Sequence, residues 1–212
     1  MQKSRLHWDK QNRLIKLFVA NTTPQTAAVL AEVQAATAAL YFNKLRHLIY
    51  QYGAEPGFLE SNAHITEILR QHPALATFHG HLVGFGLTIK QGKVLLTLCQ
   101  HRSGTHWVPL IRGKIIPHGL VAAIFDGKQR NWNAESFQYY PLNFSEVPPL
   151  DSTGTEKLAV FWQSAIHHLN RLQPIHKEHF YLHLKECEWR FNYPSTTQQW
   201  QEIHRLAQRH LA

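Results

Sequence analysis

Apolar residues recur at helical spacing in three runs within residues 1–52 of the chain. The first run follows Asp9, a residue that can cap a helix with one apolar face. The second follows Thr23 and Pro24, a capping residue and a proline suited to the first helical turn. The third covers residues 36–51 and places four side chains inward: Leu40, Leu45, Leu48 and Ile49. Three helices with a short second connection predict a helix-turn-helix module.

Strand-like patterns follow a turn-rich stretch at residues 52–57, where we place a domain boundary. Two mostly apolar runs at 82–89 and 94–99 flank Gly92 and predict a β-hairpin. Further patterns predict the remaining elements: a helix at 105–115, strands at 120–125 and 137–142, and helices at 155–171 and 177–192. Strands followed by helices predict the α/β class, in which helices cover a sheet.

Basic residues outnumber acidic ones and concentrate near the start of the chain. The sequence has 22 Lys and Arg against 14 Asp and Glu, a net charge of +8 with His neutral. Seven of the basic residues lie within residues 1–50, where only Asp9 and Glu32 oppose them. Cationic side chains favour polyanionic partners because they displace counterions from phosphates. We therefore expect a nucleic acid as the leading partner, and the helix-turn-helix pattern favours double-stranded DNA.

The third predicted helix supplies the candidate contacts to DNA. In a helix-turn-helix module the last helix enters the major groove, where its first turns meet base edges and flanking cations hold phosphates. The spacing leaves five polar side chains outside, at the start of this helix and along it: Gln34, Thr37, Asn43, Lys44 and Arg46. The alanines between them offer few contacts to bases, so we expect weak sequence preference. The alternative is a helical cap that packs on the next domain and touches no DNA.

Several other classes of protein lack support in the sequence. The apolar stretches are too short to span a bilayer, and the first residues lead into no signal-peptide region, so we expect a cytoplasmic protein with no membrane partner. Cys99 and Cys187 form no CxxC pair, which argues against a zinc ribbon. The chain has no phosphate-binding glycine motif, no nucleophile elbow and no HExxH motif.

The segment at residues 177–193, KEHFYLHLKECEWRFNY, closely resembles the C-terminal signature of the ISXO-like insertion-sequence transposases of the DDE superfamily. Shorter stretches at 26–28 and 37–46 are similar to the helix-turn-helix of that group, and 83–94 is similar to its core. The resemblance implies a ribonuclease-H-like mixed sheet with flanking helices at 58–195, followed by a C-terminal helix at 196–212. It also implies a bacterial, nucleoid-associated protein that cuts and joins DNA at element terminal repeats, and a possible homodimer.

The resemblance implies a catalytic site of three acidic or amide side chains that hold divalent metal ions. This chain departs from that pattern at each position. Leu59 occupies the place of the first aspartate, and Ile124 occupies the place of the second. The third region, at residues 156–162, keeps its aromatic pair and loses its polar positions. Because leucine and isoleucine cannot ligate Mg²⁺, we expect catalysis to be impaired and no cofactor to be needed.

Three nearby carboxylates leave an active enzyme open as an alternative. Glu60, Asp126 and Glu156 each lie within a few residues of a lost ligand and could form a shifted Mg²⁺ site. Neighbouring strand positions face opposite sides, however, so Glu60 would point away from the site in the matched register. The leading hypothesis is therefore a DNA-binding protein without cleavage. The second is an active transposase using this set, and the third is a structural or interaction protein without DNA binding.

Overall fold

The computed structural model describes residues 6–52, 70, 71, 73, 81–101, 107–109, 118–125, 131, 132, 136–142, 150–172, 174–176 and 179–211. The chain divides into two compact units. The first, here called the helical unit, joins Met1–Ala54 to Lys185–Ala212, and the second, the sheet unit, covers Glu55–Leu184. The last segment of the chain, Lys185–Ala212, thus belongs to the same unit as the first.

The helical unit contains α1 (Trp8–Val19), α2 (Pro24–Ala31), α3 (Ala35–Tyr52) and α6 (Thr196–His210), together with the end of α5 (Phe180–Asn192). Thr23 caps α2 as predicted, since its Oγ1 accepts a hydrogen bond from the Thr26 N–H at 3.2 Å. The prediction that Asp9 caps α1 is wrong. His7 is the cap, and Asp9 lies in the first turn, where a carboxylate favours the positive end of the helix dipole.

One apolar core holds the helical unit together. Leu14, Ile15 and Phe18 of α1 meet the buried face of α3 in this core, and Trp189 of α5 joins them. The core also takes residues from the end of the chain: Ile203, Leu206, Ala207 and Leu211. These apolar side chains explain why the last segment groups with the first, because their burial on the N-terminal helices removes them from water.

The predicted inward face of α3 is confirmed at three of its four positions. Leu45 and Leu48 are fully buried, and Ile49 is 2% exposed. The prediction for Leu40 is wrong, because 62% of this residue is exposed. Ala38, Tyr41 and Phe42 take the core positions in that part of the helix instead. Leu40 therefore lies on the outer surface of α3.

The sheet unit contains a five-stranded sheet in the order β3-β2-β1-β4-β6 and a separate β5-β7 pair. The strands are β1 (His81–Lys90), β2 (Lys93–His101), β3 (Trp107–Pro109), β4 (Gly119–Phe125), β5 (Asn131–Trp132), β6 (Phe137–Pro141) and β7 (Ile175–His176). All pairings between the described strands are antiparallel, so the mixed sheet predicted from the resemblance is not observed in this part of the chain.

The predicted hairpin is confirmed, with Lys90 opposite Lys93 in the β1–β2 register. Gln91 and Gly92 both have positive φ, 51° and 74°, as a two-residue turn with the twist of its strands requires. The prediction of a helix at 105–115 is wrong for its described part. Residues 107–109 are instead a strand paired with β2, and that pairing satisfies backbone groups at the edge of the sheet.

Aromatic packing covers one face of this sheet. Helix α4 (Ser152–Arg171) begins at the cap Asp151 and packs on β1, β2 and β6. Phe161 and Trp162 of α4 are buried, and Phe137 of β6 stacks on Phe180 with ring centroids 4.7 Å apart. The combination of helices and strands agrees with the predicted α/β class. Within the described residues, no helix is long and apolar enough to cross a membrane.

Candidate nucleic-acid interface

Three residues, Glu32, Val33 and Gln34, connect α2 to α3. Glu32 ends α2 in the left-handed conformation, with φ 52°. Its N–H donates to the Val29 carbonyl at 3.2 Å, and the Val33 N–H donates to the Ala28 carbonyl at 3.0 Å. These bonds close the last turn of α2, and the three-residue connection has the length typical of a helix-turn-helix.

Ion pairs join this turn to α1. The carboxylate of Glu32 lies 2.8 Å from Lys10 Nζ and 3.7 Å from an Arg13 guanidinium nitrogen. The hydrogen bond from Lys10 and its charge hold the pKa of Glu32 below the ordinary value of 4.5. Although each pair is exposed to solvent, together they connect the first helix to the turn between the other two.

Gln34 is exposed directly before α3, and the outer side of the helix begins with the exposed residues Ala35 and Ala36. Farther along, Leu40 and His47 are exposed, and three predicted contact residues are half-buried: Thr37, Asn43 and Lys44. The Gln34 carbonyl accepts the first hydrogen bond of the helix, from the Ala38 N–H at 3.1 Å. The predicted contact residues other than Arg46 thus retain accessible surface on this helix.

The prediction that Arg46 lies on the outside of α3 is wrong. Arg46 is 3% exposed, and its Nε donates to Glu186 Oε2 at 2.6 Å. A second guanidinium nitrogen donates to Asn43 Oδ1 at 3.1 Å, which also engages the side chain of Asn43. A buried arginine requires a partner, and here the partner is a carboxylate 140 positions later in the sequence.

The same carboxylate binds a second arginine. Arg190 Nε donates to Glu186 Oε1 at 2.8 Å, and the other nitrogens of this guanidinium donate to the carbonyls of Phe18 at 2.6 Å and Val19 at 3.2 Å. The Arg190 guanidinium lies 4.9 Å from the centre of the Phe18 ring. Cations stabilise the carbonyl end of a helix, so Arg190 both neutralises Glu186 and satisfies the end of α1.

These contacts give a structural role to residues of the segment that carries the family resemblance. Glu186 and Arg190 belong to that segment, and both make contacts within the helical unit. A second buried pair, between Lys185 Nζ and Glu188 Oε2 at 2.6 Å, lies in the same segment. Sequence reasoning missed this role because no local signal connects residues 46 and 186. The sequence offered one indication: the charged residues of this helix stand among aromatic residues. Such a mixture indicates that some of the charged side chains are buried and paired.

Most of the excess positive charge lies in the helical unit. Its two segments contain eleven Lys and Arg against five Asp and Glu, so this unit carries a net +6 of the total +8. Lys16, Arg205 and Arg209 are exposed basic residues in it. The sheet unit is close to neutral by comparison. A phosphate backbone would therefore be attracted chiefly to the helical unit.

The structure describes one of the three predicted carboxylates, Glu156. Glu60 and Asp126 lie outside the described residues, as does Leu59. Glu156 is exposed on α4, and Ile124 lies in β4 with its Cα opposite that of Leu82. Within the part of the chain that the structure describes, no group of three or more His, Cys, Asp or Glu side chains is placed to hold a metal ion.

Sequence comparison agrees with the resemblance at a coarse level. The chain is 34% identical over 85 residues to a protein of Haemophilus influenzae described as an uncharacterized transposase-like protein. The aligned part covers 40% of this chain and 69% of that protein. This protein therefore belongs to the transposase-like proteins. No family model matches the chain, and no solved structure matches it.

Proposed function

We propose that this protein binds double-stranded DNA through the helical unit and does not cut it. In this proposal α2, its three-residue turn and α3 form a helix-turn-helix, and α3 enters the major groove. The DNA includes the terminal repeats of an insertion sequence, and the protein acts there as a homodimer associated with the nucleoid. Its relationship to a transposase-like protein supports this assignment of partner.

The turn between α2 and α3 carries the proposal. Its three residues have the length expected for a helix-turn-helix, and the left-handed Glu32 ends α2 sharply enough for the second helix to change direction. The turn lies in the unit that has most of the positive charge. A helical cap without DNA contacts would not need this charge, so the charge favours the DNA-binding interpretation.

The accessible residues of α3 have different proposed roles. Gln34 and Thr37, at the start of the helix, are assigned to base edges or nearby phosphates. Lys44, farther along, is assigned to a phosphate. The amide oxygen of Asn43 already accepts one hydrogen bond from Arg46, so the amide nitrogen of Asn43 is the group assigned to DNA. Arg46 is reassigned from DNA contact to positioning, since its guanidinium holds α3 against Glu186.

The loss of cleavage is inferred from two replaced ligands. Leu59 and Ile124 stand where the resemblance places metal-binding carboxylates, and a hydrocarbon side chain offers no oxygen to Mg²⁺. DNA binding by α3 requires no metal ion. The competing hypothesis, a shifted site made from Glu60, Asp126 and Glu156 with Mg²⁺, remains a proposal that the cleavage assay below tests.

Binding is tested by fluorescence anisotropy of a labelled duplex titrated with the full chain. We expect the affinity to fall by orders of magnitude between about 50 and about 200 mM salt, because phosphate contacts release counterions. Lys44→Ala should reduce the slope of log affinity against log salt by about 1. Lys90→Ala, which removes an exposed lysine from the sheet unit, is the matched control and should leave the slope unchanged. Salt-independent or absent binding would refute the proposal.

Cleavage is tested separately with labelled DNA that carries candidate terminal repeats. The native chain should leave this DNA intact with either Mg²⁺ or Mn²⁺, while still binding it. Metal-dependent nicking that disappears in Asp126→Ala would instead establish the shifted catalytic site. Because binding and cleavage are measured on the same DNA, failure of one part of the proposal does not obscure the other.

A further inference from the structure

We infer that Leu40 recognises the C5-methyl group of thymine in the major groove and gives this protein a preference for A·T-containing DNA. The inference rests on the proposed function, because it requires α3 to enter the groove. It goes further by naming the base feature that α3 reads and the side chain that reads it.

Leu40 has no core role in the helical unit. It is 62% exposed, whereas Ala38, two positions before it, and Tyr41, one position after it, are buried in the core. Residues four positions apart lie on one face of a helix, so Leu40 shares its face with Ala36 and Lys44. A large aliphatic side chain therefore stands between a small residue and a lysine on the outer surface of α3.

The chemistry of this face matches thymine better than the other bases. Ala36 and Leu40 cannot make hydrogen bonds through their side chains, so the donors and acceptors of a base edge are left to Gln34 and Thr37 at the start of the helix. The thymine methyl is the one apolar feature among the four base edges in the major groove, and small or aliphatic side chains contact it. Burial of Leu40 against that methyl removes apolar surface of both molecules from water.

Charge indicates DNA as the occupant of this face. Lys44 lies one turn beyond Leu40 on the same side, where it would meet a phosphate once Leu40 meets a base. The surrounding unit has a net charge of +6, which favours a polyanion over an apolar protein surface. The occupant is therefore the major groove, with Leu40 toward the bases and Lys44 toward the backbone.

The test compares two duplex polymers that differ only by the methyl group: alternating dA-dT and alternating dA-dU. The full native chain should bind the thymine polymer roughly fourfold more tightly for one buried methyl group, equivalent to about 0.8 kcal/mol. In Leu40→Ala this ratio should fall toward one. Leu40→Ala should fold normally because the side chain is exposed, which circular dichroism checks. Val160→Ala, an exposed aliphatic truncation in the sheet unit, is the control and should keep the ratio.

Each outcome has a distinct meaning. Equal affinity of the native chain for the two polymers would overturn the inference and leave salt-dependent DNA binding, and hence the proposed function, intact. A ratio that persists in Leu40→Ala would also overturn it, because another group would then read the methyl. Absence of binding to either polymer at low salt would refute the proposed function itself, and the inference with it.

Discussion

Arg46 Nε donates to Glu186 Oε2 at 2.6 Å, although 140 residues separate the two in sequence. The Arg46 side chain is 4% exposed and that of Glu186 is 2% exposed, so neither charge is stabilised by bulk water. Arg190 completes the arrangement on the other oxygen of Glu186. This network links α1, α3 and α5, and it fixes the helix that we propose to enter DNA.

Removal of the shared carboxylate should destabilise the helical unit strongly. Glu186→Ala leaves two arginines without their anion, and breaking such a buried pair costs about 3–5 kcal/mol of unfolding free energy. Urea unfolding of the full chain measures this change. Glu156→Ala removes an exposed carboxylate of the sheet unit and should change stability by less than about 0.5 kcal/mol. A loss below about 1 kcal/mol in Glu186→Ala would contradict a structural role for the network.

The hairpin turn offers a stabilising substitution. Gln91 has φ 51°, a conformation that asparagine adopts more readily than glutamine, and Gly92 follows it. Gln91→Asn should therefore raise the unfolding free energy of the sheet unit by roughly 0.5–1 kcal/mol, as relief of left-handed strain implies. Gln91→Val should lower it, because a β-branched residue resists this conformation. We expect the melting temperature to decrease in the order Asn, Gln, Val at position 91. Any other order would contradict the left-handed conformation assigned to this residue.

Gly119 leaves room for the ring of Tyr139. A Cβ at position 119 would lie 2.5 Å from Tyr139 Cε2, well inside contact distance. Gly119→Ala should therefore cost about 1–3 kcal/mol, the usual penalty for overpacking a core. The double variant Gly119→Ala/Tyr139→Leu should lose less than the sum of the single variants, since the shorter side chain leaves space. Strict additivity in denaturant unfolding would show that the two positions do not meet.

The thiol of Cys187 should be unreactive in the folded protein. Burial raises its pKa, and the adjacent Glu186 carboxylate raises it further, so little thiolate forms at neutral pH. In a Cys99→Ser background, a thiol reagent at pH 8 should modify Cys187 only at the rate of unfolding or local opening. Denaturant should restore rapid labelling. Fast labelling of the native chain would mean that the end of α5 is not packed as described.

The turn before α3 should respond to acid. Lys10 lowers the pKa of Glu32, so the pair stabilises the fold above the unfolded pKa near 4.5, and this contribution is lost as the pH falls through the lower folded value. Native protein should therefore be more stable than Glu32→Gln above pH 5, and the two should converge in acid. Glutamate and glutamine have the same side-chain length, so the strain of the left-handed backbone at position 32 is expected to be equal in the native protein and in Glu32→Gln. A difference that is constant with pH would exclude the ion pair as its cause.

Local chemistry in the sequence determined several elements correctly. Thr23 and Pro24 mark the start of α2, and Gly92 marks the hairpin turn, because capping and turn geometry depend on a few adjacent residues. The inward positions of Leu45 and Leu48 also follow from spacing alone. From these features the sequence predicted the helices of the candidate interface and the orientation of most residues along α3.

Tertiary structure alone decided which of those residues face outward. Arg46 is polar and was predicted outside, but a carboxylate from a distant helix stabilises its charge in the interior. Leu40 is apolar and was predicted inside, but Ala38, Tyr41 and Phe42 form the buried face in that part of α3, and Leu40 lies on the outer face. Helical periodicity gives the relative angles of side chains around an axis, not the width of the buried face or the partners that cover it. Those depend on packing between segments far apart in the chain, which is also why the last helix joins the first three.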